Sequence, residues 1–275
     1  MKKILSVFLF LLLPFSATAW ERSYKGNGPR AQFNSVTSVE FFGWNTHLEG
    51  DLNVDGLKVN LGTEASIGDE NRIGFKINHV LSHRSAVQLA YIDVGHTGRI
   101  DKVVTFDRRN YQAGAAMDLN MRWIDLTWCH NLNHALPRSK EPLEAFYIDG
   151  MLGIKFGTAK VKLTGRENTI AAAFLRNTWE QVFPIPYLGI SAGGQLSRNV
   201  WLKGHLQYVN IDGGGNSALH ADYGVNVAVR LNPNSQNTEL FFDIGYSAVK
   251  FDFDNDSDSG LLQYRGPKIG FMARF

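Results

Sequence analysis

Stretch after stretch of this chain alternates apolar residues with small or polar ones. From Phe146 onward, Phe146, Ile148, Leu152, Ile154 and Phe156 fall on one row, and Tyr147, Asp149, Gly153, Lys155 and Gly157 fall on the other. A strand projects successive side chains to opposite faces, so each such segment predicts a strand with one oily and one polar face. The same phase returns with Leu188, Ile190 and Ala192, with Tyr223, Val225, Val227 and Val229, with Leu240, Phe242, Ile244 and Tyr246, and with Ile269, Phe271, Ala273 and Phe275. Nearer the N-terminus, Ile73, Phe75 and Ile77 oppose Gly74, Lys76 and Asn78, while Ile124, Leu126 and Trp128 oppose Asp125 and Thr127. Around residues 38–44 and 87–94 the two phases mix and no face can be assigned. An oily face must pack on a second sheet or meet lipid; in the second case the polar face lines an interior.

The connections decide between these. Short polar turns are expected at Ser82-His83-Arg84, at Ser197-Arg198-Asn199 and at residues 232–237, with a longer one holding Pro137 and Pro142 between residues 131 and 143. Between them lie longer segments at 46–71, 95–112, 164–181, 212–219 and 253–260. Short turns on one side and long loops on the other are the arrangement of a membrane barrel, and a soluble sandwich has no reason to sort loop lengths this way. The expectation is an all-β fold: a transmembrane antiparallel up-and-down β-barrel of about ten strands, with eight or twelve also compatible. The barrel must close, because an open sheet edge in hydrocarbon leaves backbone groups unpaired at several kcal/mol each.

The start of the chain supplies an address. Lys2 and Lys3 precede an apolar run over residues 4–15, and Ala17-Thr18-Ala19 offers the small-x-small site of a cleaved signal peptide, so residues 1–19 are expected to be removed and 20–275 to form the barrel. Removal lowers Lys plus Arg from 28 to 26, equal to the 26 acids, so charge gives no argument for a nucleic-acid partner. Mean hydropathy is −0.18 and no later segment has eighteen consecutive apolar residues, which excludes helical spans after the signal. The single cysteine, Cys129, excludes an intramolecular disulfide and reads as a small packed residue near a strand end.

The last strand carries a recognisable ending. Phe275 is preceded at alternate positions by Ala273, Phe271 and Ile269. With the signal peptide and the period-two strands, this resembles the Gram-negative outer-membrane β-barrel proteins over essentially the whole mature chain. The resemblance implies location in the bacterial outer membrane, contact with its lipid and lipopolysaccharide, and insertion by the barrel-assembly machinery, which reads Ile269, Phe271 and Phe275. It implies no cofactor.

Candidate chemistry is sparse. The polar face carries charges of both signs, Asp149, Lys155, Lys203, Arg230, Asp243, Lys268 and Arg274, which either pair and plug a narrow lumen or line a channel. His220-Ala221-Asp222 and Asp252-Phe253-Asp254 are expected near the outer rim on neighbouring strands. They are similar to the Asp-His and Asp-Asp pairs of the omptin proteases, although here the order is His-x-Asp. A carboxylate-oriented imidazole activating water is the chemistry such a rim site would offer. Asp254, Asp256 and Asp258 alternate in a loop and suit an oxygen-seeking cation, but without the spacing of an EF-hand; solvated acids are the simpler reading. The sequence reading is therefore a non-enzymatic barrel with a polar lumen, porin-like or acting through its loops, with an omptin-like hydrolase as the alternative. In the segment 46–71, Leu52, Val54, Leu57, Val59 and Leu61 alternate, which predicts either apolar contact surface or strands continuing above the membrane.

Overall fold

The computed structural model describes residues 37–82, 84–132, 146–170, 172–197, 199–213, 215–233, 238–255 and 257–275. The signal-peptide segment, His83, Pro137, Pro142, Asp256 and part of the 232–237 turn lie outside the described residues. Among the described residues thirteen strands form: β1 (Thr37–Val54), β2 (Leu57–Asn60), β3 (Glu70–Val80), β4 (Ser85–Arg99), β5 (Val104–Phe106), β6 (Arg109–Tyr111), β7 (Ala116–Asn131), β8 (Phe146–Arg166), β9 (Phe174–Ser197), β10 (Val200–Gly213), β11 (Asn216–Arg230), β12 (Glu239–Asp254) and β13 (Ser259–Arg274). Each long strand pairs antiparallel with the next, and β13 returns to β1 through Ser38–Arg274, Phe41–Phe271 and Asn53–Ser259. Of the eleven strands in this sheet, β2 only folds back on β1, so ten close the ring. Closure removes both sheet edges, which is what hydrocarbon demands.

The strands are longer than a membrane requires. On β8 the outward oily row runs from Phe146 to Phe156; at about 3.3 Å per residue and a tilt of about 40°, that rises roughly 25 Å, the height of a barrel's apolar band. The strand then continues to Arg166 with Thr158, Lys160, Lys162 and Thr164 outward. Facing inward over that upper stretch are Ala159, Val161 and Leu163, all buried. The pattern has inverted: below, oily residues face out and polar ones in; above, the reverse.

Other long strands show the same inversion. Phe41 on β1 is 65% exposed and Ile73 on β3 79%, as lipid-facing residues should be, while Leu48, Leu52 and Val54 higher on β1 are buried inward. Met117, Leu119, Met121 and Trp123 on β7, Val249 and Phe251 on β12, and Leu262 and Tyr264 on β13 join them in one cluster. The cluster fills the upper interior, a core held by the hydrophobic effect as in a soluble protein. The expectation of a polar lumen thus holds for the lower half and is corrected for the upper half. Above the membrane the outer wall meets water, so the apolar side chains turn in.

The segments expected as long loops are largely zipped into sheet. The turn from β1 to β2 is the two-residue Asp55-Gly56, both at positive φ (49° and 83°), the geometry that joins twisted strands and favours Asp-Gly. Leu52, Val54, Leu57, Val59 and Leu61 all point into the core, so of the two readings of that segment the strand extension is the one seen. β8 and β9 pair up to Arg166–Phe174, and β10 and β11 up to Gly213–Asn216.

Candidate functional site

The lower lumen holds a connected set of polar side chains, each delivered by the inward row of its strand. Lys155 (β8) is fully buried, with Nζ 2.5 Å from Asp222 (β11) and 3.8 Å from Asp125 (β7). Asp222 also meets Nε2 of His205 (β10) at 3.1 Å. The Tyr187 hydroxyl (β9) donates to Asp125 at 2.6 Å and lies 2.5 Å from the Thr127 hydroxyl, while Gln207 Nε2 donates to Tyr187 at 3.2 Å. Five consecutive strands, β7 to β11, therefore tie their polar groups together beneath the apolar core. Buried charges survive only when so paired, and breaking one member strands the others.

Local sequence makes room for this. Tyr187 lies over Gly153, where a Cβ would fall 2.4 Å from the ring, so the glycine on β8 is what lets the phenol cross to Asp125. The Lys155 ammonium sits 5.4 Å from the Tyr187 ring centre and 5.9 Å from that of Trp123, the first aromatic of the core above.

A second group lies nearer the strand ends that carry the termini. Lys268 (β13) donates to Glu40 (β1) at 3.0 Å and stands over the Phe42 ring at 3.6 Å. Lys203 (β10) reaches Asp243 (β12) at 3.4 Å. At the mouth, Glu239 takes both Arg230, at 3.0 Å, and Arg274. Asn131 Nδ2 donates to Asp149 at 3.1 Å. A cavity of about 260 Å³ runs through these layers, from Thr37, Ser38 and Arg274 at the mouth to Asp222 and Val249 at the floor of the apolar core.

The seven lumen charges read from the sequence all lie on inward rows. The sequence did not supply their partners: Glu40, Asp125, Tyr187, His205 and Glu239. Asp125 and His205 were legible as polar-face residues, but pairing depends on register between strands, which alternation within one strand does not carry.

The candidate rim residues are placed differently from expectation. His220 and Asp222 are buried inside the barrel, with His220 stacked on Phe251 at 4.7 Å between ring centres. Asp252 and Asp254 share β12 with Phe251 and Phe253 but take the opposite face, and Asp252 pairs outside with Lys250 at 3.5 Å. The wall of the barrel separates the two pairs, so they do not form one site. The acidic loop is likewise held by protein groups: Asp258 Oδ1 accepts the Asp55 N–H at 2.9 Å, and Asn255 Oδ1 accepts the Ser257 and Asp258 N–H groups. Among the described residues no three His, Cys, Asp or Glu side chains gather as a cation site. Cys129 packs inward beside Ala86 and Met151, and His130 lies against Trp128 on the other face, 5.4 Å between ring centres, so the two do not form a nucleophile pair.

A closed ring of ten antiparallel strands with an outward oily band is the fold of the Gram-negative outer-membrane β-barrel proteins. Among solved structures the chain is similar to the outer membrane protease OmpT of Escherichia coli, with TM-score 0.51 and 12% identity over 88% of this chain and 97% of that one. It is also similar to the translocator domain of the autotransporter NalP from Neisseria meningitidis (TM-score 0.43, 10% identity, 89% and 90% covered). A third is Ail, the attachment invasion locus protein of Yersinia pestis (TM-score 0.36, 9% identity, 88% and 99% covered). At these identities the likeness concerns the fold alone. No protein-family model and no curated protein matches the chain.

Proposed function

We propose that this chain is a sealed barrel that works through its extracellular rim, as a surface-interaction protein, and does not conduct through its lumen. The observation that carries this reading is the apolar cluster that fills the upper interior from Trp44 to Phe251 above the charged lower lumen. Ions need a wet path, and an interior packed with Trp, Met, Leu and Phe offers none.

The rim itself is knitted into one platform. The Asp107 N–H donates to the Asp55 carbonyl at 3.0 Å, Asp55 in turn donates to Asp258, and Asn177 Nδ2 donates to Asp107 at 2.9 Å. The Asn168 N–H donates to the Asn110 carbonyl at 2.8 Å, so the tips of β1–β2, β5–β6, β8–β9 and β12–β13 hold one another. A rim held this way presents fixed groups to a partner without an ordering cost. The outward oily band meets lipid; lipopolysaccharide contact above it, and reading of Ile269, Phe271 and Phe275 by the assembly machinery, belong to the same proposal.

Single-channel recording of the refolded protein in planar bilayers tests it, with heat-modifiable gel mobility confirming a folded barrel. A silent folded barrel is the expected result. Stable conductance steps that change when Lys203 or Asp243 is neutralised would replace this reading with a porin. The hydrolase alternative draws less support, since its His220/Asp222 and Asp252/Asp254 pairs stand on opposite faces of the wall.

A further inference from the structure

We infer that the lower lumen is a binding site for one small free anion, carrying a phosphate or carboxylate group, held by Lys76, Lys203 and Lys268. The cavity of about 260 Å³ is lined in its middle by these three lysines and Glu40, and it ends upward against Asp222 and Val249 under the apolar core. Entry is therefore from the periplasmic side, where Thr37, Ser38 and Arg274 form the mouth. The closed wall keeps out lipid headgroups approaching from the bilayer, so the ligand is a soluble one.

The charges in this layer do not cancel. Lys268 is satisfied by Glu40 at 3.0 Å, but Lys203 holds Asp243 only loosely, at 3.4 and 3.5 Å. Lys76 has no carboxylate within the 4.0 Å of an ion pair among the described residues, although it faces inward beside Glu40 in the β1–β3 register. All three ammonium groups act electrostatically on the single Glu40 carboxylate, and Asp243 does not line the cavity. Three cations thus share two acids. The other lumen acids stand on other strands: Asp222 and Asp125 with Lys155, Glu239 with the two arginines, and Asp149, three strands from Lys76, accepting from the uncharged Asn131.

An unpaired ammonium inside a narrow barrel at membrane depth is costly, and an anion at this point would give it a charge-assisted hydrogen bond. Ser247, Asn226 and His205 line the same cavity and can orient the remaining ligand atoms. The volume admits an anion of a few carbons.

Isothermal titration of the refolded full chain in a non-ionic detergent, with inorganic phosphate and separately with succinate as probes, tests the site. At least one probe should bind, and Lys76→Gln should weaken it by about tenfold or more, the size expected for one hydrogen bond to a charged group. Lys203→Gln, on a different strand, should weaken it similarly and reads the same site should Lys76→Gln fail to refold. Lys162→Gln, which removes an outward pair with Asp118, should leave binding unchanged. Absence of binding of both probes at millimolar concentration, or equal binding by wild type and the foldable lumen variant, would overturn the inference. Neither result bears on whether the barrel conducts.

Discussion

Lys155→Met tests the buried network most directly. The ammonium is fully buried, 2.5 Å from Asp222 and 3.8 Å from Asp125, so its removal leaves two carboxylates in a closed interior. Asp222 would retain His205, and Asp125 would retain Tyr187 and Thr127, but no full positive charge would remain beside either. Removing one partner of a buried pair costs about 3–5 kcal/mol. With a urea slope of about 2 kcal/mol per molar, that loss moves the unfolding midpoint down by roughly 1.5–2.5 M. Asp222→Asn alone should also destabilise, by leaving the ammonium under-compensated. The double variant Lys155→Met with Asp222→Asn should lose less than the two single losses added, by about 1.5 kcal/mol or more, since neither charge is then stranded. Urea titrations of protein folded into vesicles, followed by tryptophan fluorescence, give all four corners of the cycle. A Lys155→Met loss below about 1 kcal/mol, or strict additivity in the double variant, would show that the lumen is solvated and that the pair carries little.

Three further outcomes follow from the same geometry. Arginine introduced at Leu152, on the outward oily row, should cost about 2–4 kcal/mol in vesicle-folded protein, whereas Thr158→Arg, three outward positions higher, should cost about 0–1 kcal/mol; equal costs would place the lipid band elsewhere. Gly153→Val puts a Cβ 2.4 Å from the Tyr187 ring and should displace the phenol from Asp125, with a loss of about 1–3 kcal/mol that Tyr187→Phe partly relieves in the double variant. Glu64, in the extracellular connection, accepts from Lys102 and from the Asn60 N–H, which hold its carboxyl below the usual carboxylate range, the Lys102 contact being the larger influence. Its contribution is present above the ordinary glutamate range and is lost as pH falls through the lowered value. Carboxyl-resolved NMR titration should show that value rising in Lys102→Ala.

How much of this was legible in the sequence depended on height along the barrel. Where outward residues meet lipid, as from Leu188 to Ala192 or Tyr223 to Val229, alternation gave the faces correctly, and counting such segments gave about ten strands. The mixed stretches have a physical cause: residues 38–44 and 87–94 carry apolar side chains on both rows. Phe41 faces lipid while Phe42 and Trp44 face in, so consecutive apolar residues belong to different environments. Above that height the outward Glu49, Asp51 and Asn53 made β1 look like loop, although Leu48, Leu52 and Val54 between them are core. His220 and Asp222 were expected near the rim because residues 212–219 read as a long loop; β10 and β11 instead pair as far as Gly213–Asn216, which puts His220 and Asp222 on the inward row below that end. The lumen pairs were not legible at all, because Lys155 and Asp222 are 67 positions apart and meet only once the barrel closes.

The inversion also explains why one chain needs both kinds of core. In the membrane, burying apolar side chains inside gains nothing, since lipid is equally apolar; specificity of strand register must come from polar contacts such as Lys155 with Asp222 and from close fits such as Tyr187 over Gly153. Above the membrane, strands of the same sheet meet water on the outside, and burial of Trp123, Phe251 and Leu262 becomes the driving term. Register fixed by the polar layer below is therefore carried upward unchanged, because a one-residue slip in either zone would turn every side chain to the wrong face. The two zones select the same alignment through opposite preferences. That agreement lets strands of up to 24 residues project beyond the bilayer as a rigid sheet rather than fraying into loops.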